Sequence, residues 1–448
     1  MITVSQLKGK RVAVMGLGKS GIATAKALLA SGAGVMAWDD NEGARRIAAE
    51  EAIPVADLLA IDIAKADLVV WSPGIPHTFP QPHPLAEKAR AAGVPVVCDV
   101  ELLGWAKTAN RILAVTGTNG KSTTTTLLAH VLAANGISVA AGGNLGTAAL
   151  DLPDLEGDGR YVLELSSYQL ELVDRLQVSA GVLLNVTPDH LGRHGGMEGY
   201  IAAKRRLFDL LVPGGAAVIG IDDGPGRAMS AQLMAMGLRV VPISAQKVLD
   251  NGISAPDGML LDHGRAVCDL RDIPTLPGSH NWQNACAVYA LARADGLLPK
   301  DIASALVTYP GLAHRQERVA QIEGVTWVND SKATNADAVE KALVCYEDIH
   351  WIAGGQAKEG GIKSLEKYFD RIKHAYLIGE AAADFAKVLD GKVPYSLCGE
   401  LIIAVKSAHA HAEPGDTVLL SPACASWDQF KSFEHRGEVF RDLVEGLK

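Results

Sequence analysis

Short apolar runs recur along the chain, each ending in a turn rich in glycine or polar residues and followed by a stretch with apolar positions at helical spacing. That alternation predicts βα units, and hence an α/β fold with mainly parallel sheets and helices on both faces. In the first part the pattern predicts strands at 11–15, 35–38, 68–71 and 94–97, with a helix over 22–30. A second set of strands is expected at 111–115, 139–141, 161–165, 182–186 and 217–219, with helices over 121–134, 199–211 and 281–293. The third set falls at 325–328, 350–352, 375–378 and 417–420. A polar piece at 107–111 and the Pro310-Gly311 pair divide these sets. Three consecutive domains follow: 1–108 Rossmann-like, 109–311 of the P-loop type, and 312–448 Rossmann-like.

Composition narrows the class. An apolar share of 48% and 46 glycines suit a packed α/β protein. A net charge of −9 with no basic stripe argues against nucleic acid as a partner. The six cysteines include no C-x-x-C pair, so neither zinc nor a disulfide framework is expected. Lys8, Lys10 and Arg11 lead into a strand and not into a cleavage pattern, and no apolar run reaches bilayer length. A soluble, cytoplasmic chain without membrane insertion is expected, acting as a monomer.

The most informative stretch is Val115-Thr-Gly-Thr-Asn-Gly-Lys-Ser-Thr123, an apolar run entering a glycine turn that opens a helix. Backbone N–H groups and a helix N-terminus in that layout surround polyphosphate, with Lys121 toward the terminal phosphates and the Ser122 hydroxyl toward Mg²⁺. Val115 occupies the place of the first glycine of the full P-loop pattern, so the loop is a shortened one. A merely structural glycine turn is the alternative.

A second cluster, Gly16-x-Gly18-x-x-Gly21 with Asp39 and Asp40 after the next strand, has the form of a dinucleotide fingerprint. It fits an NAD-dependent dehydrogenase, but a UDP diphosphate meets the same requirement, and a ligand-free βα turn is a third reading. Ser72-Pro73-Gly74 ends another strand and lies on the same expected crevice. Glu164 closes an apolar strand, where an oxygen ligand for Mg²⁺ or a buried ion pair is expected. His190 ends Asn185-Val-Thr-Pro-Asp-His190 at a crevice edge, and Lys204 reads as a solvated helix lysine.

These segments, with Gly142-Gly-Asn-Leu-Gly146, Leu163-Glu-Leu-Ser-Ser-Tyr-Gln-Leu170 and Gly311-Leu-Ala-His-Arg315, resemble the Mur ligase family from the Gly16 turn to Phe433. Asn329-Asp-Ser-Lys-Ala-Thr-Asn335 and Ser421-Pro-Ala-Cys-Ala-Ser426 resemble the members that add D-glutamate, and not other muramyl ligases or folylpolyglutamate synthetase. The resemblance implies an ATP-dependent amide ligase whose substrates are UDP-N-acetylmuramoyl-L-alanine, D-glutamate and ATP, with Mg²⁺. It places ATP on Gly117, Thr118, Asn119, Gly120, Lys121, Ser122, Thr123, Asn281, Asn284, Arg315 and Asp330. It places the UDP substrate on Leu17, Gly18, Lys19, Ser20, Asp39, Ser72, Pro73, Gly74 and Asn144, displacing the NAD reading.

Metal contacts are implied for Ser122, Glu164, His190 and a carbamylated Lys204, and catalytic roles for Lys121, Asn144, His190, Lys204, Arg315 and Lys332. Thr334, Lys358, Ser426 and Phe433 are implied for D-glutamate, whose two carboxylates call for donors. Gly192 stands where family members often carry an acid, and Trp427 is bulky where a smaller apolar residue is expected. The implied chemistry is activation of a carboxylate as an acyl phosphate, which must be shielded from water. Closure of the third part about Pro310-Gly311 is therefore expected.

Overall fold

The computed structural model describes residues 1–357 and 360–447. It contains three sheets. Residues 1–270 and 281–308 form one compact unit, which holds the first two sheets, and residues 271–280 and 309–448 form a second.

The first sheet is parallel, with strands Gly34–Trp38, Arg11–Met15, Leu68–Trp71 and Val96–Val97 side by side. The strand expected over 94–97 is reduced to two residues, because Pro95 has no N–H for the ladder and contributes only its carbonyl, to Val69 N–H at 2.9 Å. Gly16 turns the chain at φ +92°, and a Cβ there would lie 2.4 Å from the Ser72 Cβ. The two glycine turns of this domain are thus in direct contact.

In the second sheet, strand Arg111–Thr116 lies between Arg160–Glu164 and Val178–Leu183, all three parallel, with Val139–Gly143 outside Arg160–Glu164. Leu113, Ala114 and Val115 are fully buried, as a strand covered on both faces requires. The strand expected over 182–186 runs instead from Val178 to Leu183. It stops because the Asn185 carbonyl turns to accept Thr118 N–H at 2.9 Å, and Val186 N–H donates to Asp223 at 2.8 Å.

The helix expected over 199–211 is Met197–Asp209, and Leu211–Gly220 is one long strand where only 217–219 was expected. Leu211 pairs with Val178 before an irregularity at the Pro213-Gly214-Gly215 stretch, so pairing overrides the apolar helical pattern there. A short antiparallel annex, Ile253–Ser254, Met259–Asp262 and Arg265–Asp269, extends the sheet.

The third sheet places Val325–Asn329, Thr417–Leu420, Ile349–Gly354 and Ile372–Ile378 in parallel. Two edge strands complete it: Glu317–Ile322, antiparallel, and Tyr395–Gly399, parallel. Neither carried a strong apolar run, since edges need bury only one side.

The first two sheets are joined through the helix Asp99–Ala106. Glu101, fully buried there, accepts the N–H groups of Asp174, Arg175 and Leu176 at 3.0, 2.8 and 3.1 Å, and the Trp105 indole N–H at 2.8 Å. One carboxylate thereby satisfies three backbone donors of the central domain. Glu101→Ala should destabilise this unit by about 3 kcal/mol or more, since each buried donor left unpaired costs ~1–3 kcal/mol. Chemical unfolding followed by tryptophan fluorescence checks this, and an unchanged midpoint would contradict it.

Candidate active site

Strand register brings the first group of candidate residues together. Val115 is level with Glu164, Glu164 with Gly143, and Thr116 with Leu183, so four strand ends meet on one rim of the central sheet. The chain leaving Arg111–Thr116 forms the loop 117–120 and enters helix Lys121–Ala134. At Gly120 φ is +86° and a Cβ would sit 2.3 Å from the amide oxygen of Asn284 on helix Ser279–Ala294, so only glycine fits between the loop and that second helix.

Asn185 holds the loop from the other side. Its Oδ1 accepts Asn119 N–H at 2.8 Å and its Nδ2 donates to the Asn119 carbonyl at 3.1 Å. Thr118 N–H donates to the Asn185 carbonyl, and the Thr118 hydroxyl bonds the Thr187 carbonyl at 3.1 Å and meets the Tyr200 hydroxyl at 3.1 Å. Sequence reasoning quoted Asn185 within a motif but gave it no role; a polar residue directly after a buried strand is the signal that could have found it.

The loop is lined with positive charge. Lys121 Nζ donates to the Gly117 and Thr118 carbonyls at 3.0 and 2.9 Å, and Lys204 Nζ also reaches the Gly117 carbonyl, at 2.8 Å. Lys204 is not the solvated lysine expected from its helix position: it is 1% exposed, with Tyr200 beside it. Burial, and secondarily Lys121, lowers its pKa to about 7. Two amines crowded onto one carbonyl form a site suited to anionic groups.

Glu164 is buried at the end of its strand. Its Oε1 accepts Asn144 Nδ2 at 2.7 Å, while Oε2 is buried with no hydrogen-bond partner. An orphaned carboxylate oxygen fits a hard divalent cation, and the Ser122 hydroxyl lies on the neighbouring helix start. Among the described residues no three His, Cys, Asp or Glu side chains cluster as a metal nest. Phosphate, water or a modified side chain could supply further ligands to an ion here. His190 sits at φ +53° with its ring about half exposed, 5.2 Å from the Tyr168 ring. Asn281 and Asn284 are buried and bonded to each other at 3.2 Å, with Asn284 directly against Gly120. Thr123 is buried in the first turn of the loop helix.

In the first domain Leu17 N–H donates to Asp39 Oδ2 at 2.7 Å, and Asp39 Oδ1 accepts Asn41 N–H, so this carboxylate shapes the turn. Gly18 caps the helix on which Lys19 and Ser20 stand, and Lys19 bonds the carbonyl of Gly146, two residues after Asn144. Arg193 donates to the carbonyls of Gly74 and Pro73 at 2.9 and 3.2 Å, tying the Ser72–Gly74 turn to the segment after His190.

The second unit gathers the other group. Asp330 Oδ2 accepts the Ser421 hydroxyl at 2.8 Å and Oδ1 accepts Gln316 N–H at 3.1 Å. Burial raises its pKa to about 7 against the lowering effect of these bonds and of Arg315. The Arg315 Nε is buried with no hydrogen-bond partner. Lys332 N–H bonds the His314 carbonyl, and its ammonium lies 5.7 Å from the Phe433 ring. Thr334 follows on the same loop, and Ser426 is buried after Cys424. Arg436, fully buried, bridges the Ser331 hydroxyl and the Cys424 carbonyl at 3.0 and 3.1 Å, so it braces both segments. Trp427 is 67% exposed, and Lys358 lies outside the described residues.

A shortened phosphate loop on a parallel sheet, flanked by a buried carboxylate and two lysines, defines a nucleotide-dependent α/β enzyme. Three family models match: the Mur ligase MurD-like N-terminal domain over residues 10–98, the Mur ligase middle domain over 115–292, and the Mur ligase glutamate ligase domain over 314–424. The chain belongs to the Mur ligase family, whose members are ATP-dependent amide ligases. It is 70% identical to the UDP-N-acetylmuramoylalanine–D-glutamate ligase of Paramagnetospirillum magneticum, over 100% of this chain and 99% of that one. The enzyme of the same name from Rhodospirillum rubrum is 54% identical, over 100% and 97%.

Among solved structures, the UDP-N-acetylmuramate-alanine ligase of Thermotoga maritima matches with a TM-score of 0.62 at 19% identity, covering 98% of this chain and 100% of that one. That likeness concerns the fold. No helix among the described residues is long and apolar enough to cross a membrane.

Asn185→Ala removes both bonds to the Asn119 peptide. It should raise the KM for ATP about tenfold, roughly 1.4 kcal/mol, with the KM of the amino acid unchanged. Steady-state kinetics at varied ATP checks this; an unaltered KM would refute the clamp.

Proposed function

We propose that this chain is the cytoplasmic ligase that joins D-glutamate to UDP-N-acetylmuramoyl-L-alanine in peptidoglycan precursor synthesis, consuming ATP. The observation that carries this reading is 70% identity, over the entire chain, to a ligase of that name. A phosphate loop with intact Lys121 and Ser122 supports it.

The reaction begins with attack of the alanyl carboxylate on the γ-phosphate of ATP, which gives an acyl phosphate and ADP. The neutral amine of D-glutamate then adds to the acyl carbon, and phosphate leaves with the C–O electron pair, carrying off the proton that the nitrogen gives up as the amide forms. Phosphoryl transfer calls for positioning and charge neutralisation more than for a protein nucleophile. Lys121, once drawn from its own loop carbonyls, follows the terminal phosphates; the N–H groups of 117–123 cradle them. Asn144, oriented by its bond to Glu164, positions the substrate carboxylate. Mg²⁺ would be held by Glu164 and Ser122, with His190 nearby, and supplies charge neutralisation of the phosphates when bound.

Lys204 suits carbamylation. An amine whose pKa burial lowers to about 7 is substantially neutral at physiological pH, which nucleophilic addition to CO₂ requires. The product is an anion, which Lys121 would stabilise in place of repelling it. Arg315, Asp330 and Lys332 are assigned to the nucleotide, and Thr334, Ser426, Phe433 and Lys358 to D-glutamate. The Gly16–Gly21 and Ser72–Gly74 turns are assigned to the UDP moiety, with Leu17, Gly18, Lys19, Ser20 and Asp39.

Incubation with ATP, Mg²⁺, UDP-N-acetylmuramoyl-L-alanine and either glutamate enantiomer tests the reading. Phosphate release matched by amide product with D-glutamate alone is expected; no amide product with D-glutamate would overturn it. Lys121→Ala should lower kcat/KM at least about 10³-fold, about 4 kcal/mol. Lys204→Ala should be partly rescued by millimolar formate or acetate, whereas full activity without them would remove the carbamate.

A further inference from the structure

His190 stands in a glycine-rich segment that lacks an acid at Gly192, yet the segment is firmly held. His194 holds it. Its Nδ1–H donates to Glu171 Oε1 at 2.8 Å, and its Nε2 is hydrogen-bonded to the Ser167 hydroxyl at 2.9 Å. The ring is 4% exposed and lies between Tyr168, stacked at 5.4 Å, and Tyr200, tilted at 5.3 Å. A tight turn carries this anchor back to His190: Arg193 N–H bonds the His190 carbonyl at 2.9 Å and His194 N–H the Leu191 carbonyl at 3.2 Å. The receiving residue, Ser167, follows three positions after Glu164 on the same strand-to-helix turn.

We infer that His194 is a positioning residue that couples the His190 turn to the Glu164 end of the phosphate rim. Ser167, His194 and Glu171 have the hydrogen-bond order of a serine-nucleophile relay. Ser167 is only 3% exposed and begins a helix, so no substrate carbonyl reaches its oxygen. The relay is therefore a strut. Both ends of the imidazole are fixed, and the two flanking rings set its plane, so the orientation of the whole turn follows. Apart from these side chains the turn is held on the first domain by Arg193, whose guanidinium also lies 4.4 Å from the Tyr168 ring.

The consequence for His190 rests on the Mg²⁺ role proposed above, whereas the strut itself does not, and two measurements separate them. Hydrogen exchange on the metal-free full-length protein should show amides 191–196 exchanging at least tenfold faster in His194→Phe, which keeps a ring between the two tyrosines, and in Ser167→Ala. Ser167→Thr should restore protection. Unchanged exchange in both variants would overturn the strut, and if His194→Phe fails to fold, Ser167→Ala decides.

In turnover, Ser167→Ala should raise the Mg²⁺ concentration for half-maximal rate at least fivefold, with the KM for D-glutamate unmoved. Faster exchange with an unaltered Mg²⁺ dependence would overturn the coupling to His190. An unsubstituted enzyme without ligase activity would instead overturn the functional reading, while the exchange result still judges His194.

Discussion

The parallel ladder of Arg111–Thr116 between Arg160–Glu164 and Val178–Leu183 is the constraint on which the central site depends. In a parallel sheet all carboxyl ends lie on one edge, so residues far apart in sequence share a rim without any further device. Gly117, Asn144, Glu164 and Asn185 each lie at or just past a strand end there. Because register fixes their heights, a slip of one residue would turn Glu164 from one face of the sheet to the other. The apolar composition of these strands and the phosphate chemistry at their ends are therefore one specification.

What sits on that rim is electrostatically incomplete. Glu164 keeps one carboxylate oxygen without a partner, and Lys121 and Lys204 converge on the Gly117 carbonyl. Buried groups of this kind are costly unless compensated. A cation beside the carboxylate and a polyphosphate beside the lysines would offset both at once. The same logic explains the depressed Lys204 amine, which burial, and after it repulsion from Lys121, push toward its neutral form.

Much of this was legible from residues. Glycines at 117 and 120, the lysine between loop and helix, and the strand-terminal Glu164 follow from spacing, because the backbone of a phosphate loop tolerates few alternatives. Lys204 was not legible: on a helix its position looked solvated, and only the packing of Met197–Asp209 under the loop makes it buried. The edge strands Glu317–Ile322 and Tyr395–Gly399 escaped for the reverse reason, since a strand paired on one side needs little apolar character. Asp39 bonds the N–H groups of Leu17 in the Gly16 turn and of Asn41, and Asp330 bonds Gln316 N–H and the Ser421 hydroxyl, partners that spacing does not reveal. His194 and Asn185 act through hydrogen bonds to distant segments, which no local pattern encodes.

The central claim is that the orphaned oxygen of Glu164 and the lysine-lined loop form one receptor for a metal-bound triphosphate. Calorimetric titration of ATP with and without Mg²⁺, into the unsubstituted protein and into Glu164→Gln, tests it most directly. The account predicts that Mg²⁺ tightens ATP binding at least about tenfold, ~1.4 kcal/mol, in the former and hardly at all in the latter. Equal tightening in both proteins, or ATP binding in neither condition, would contradict it.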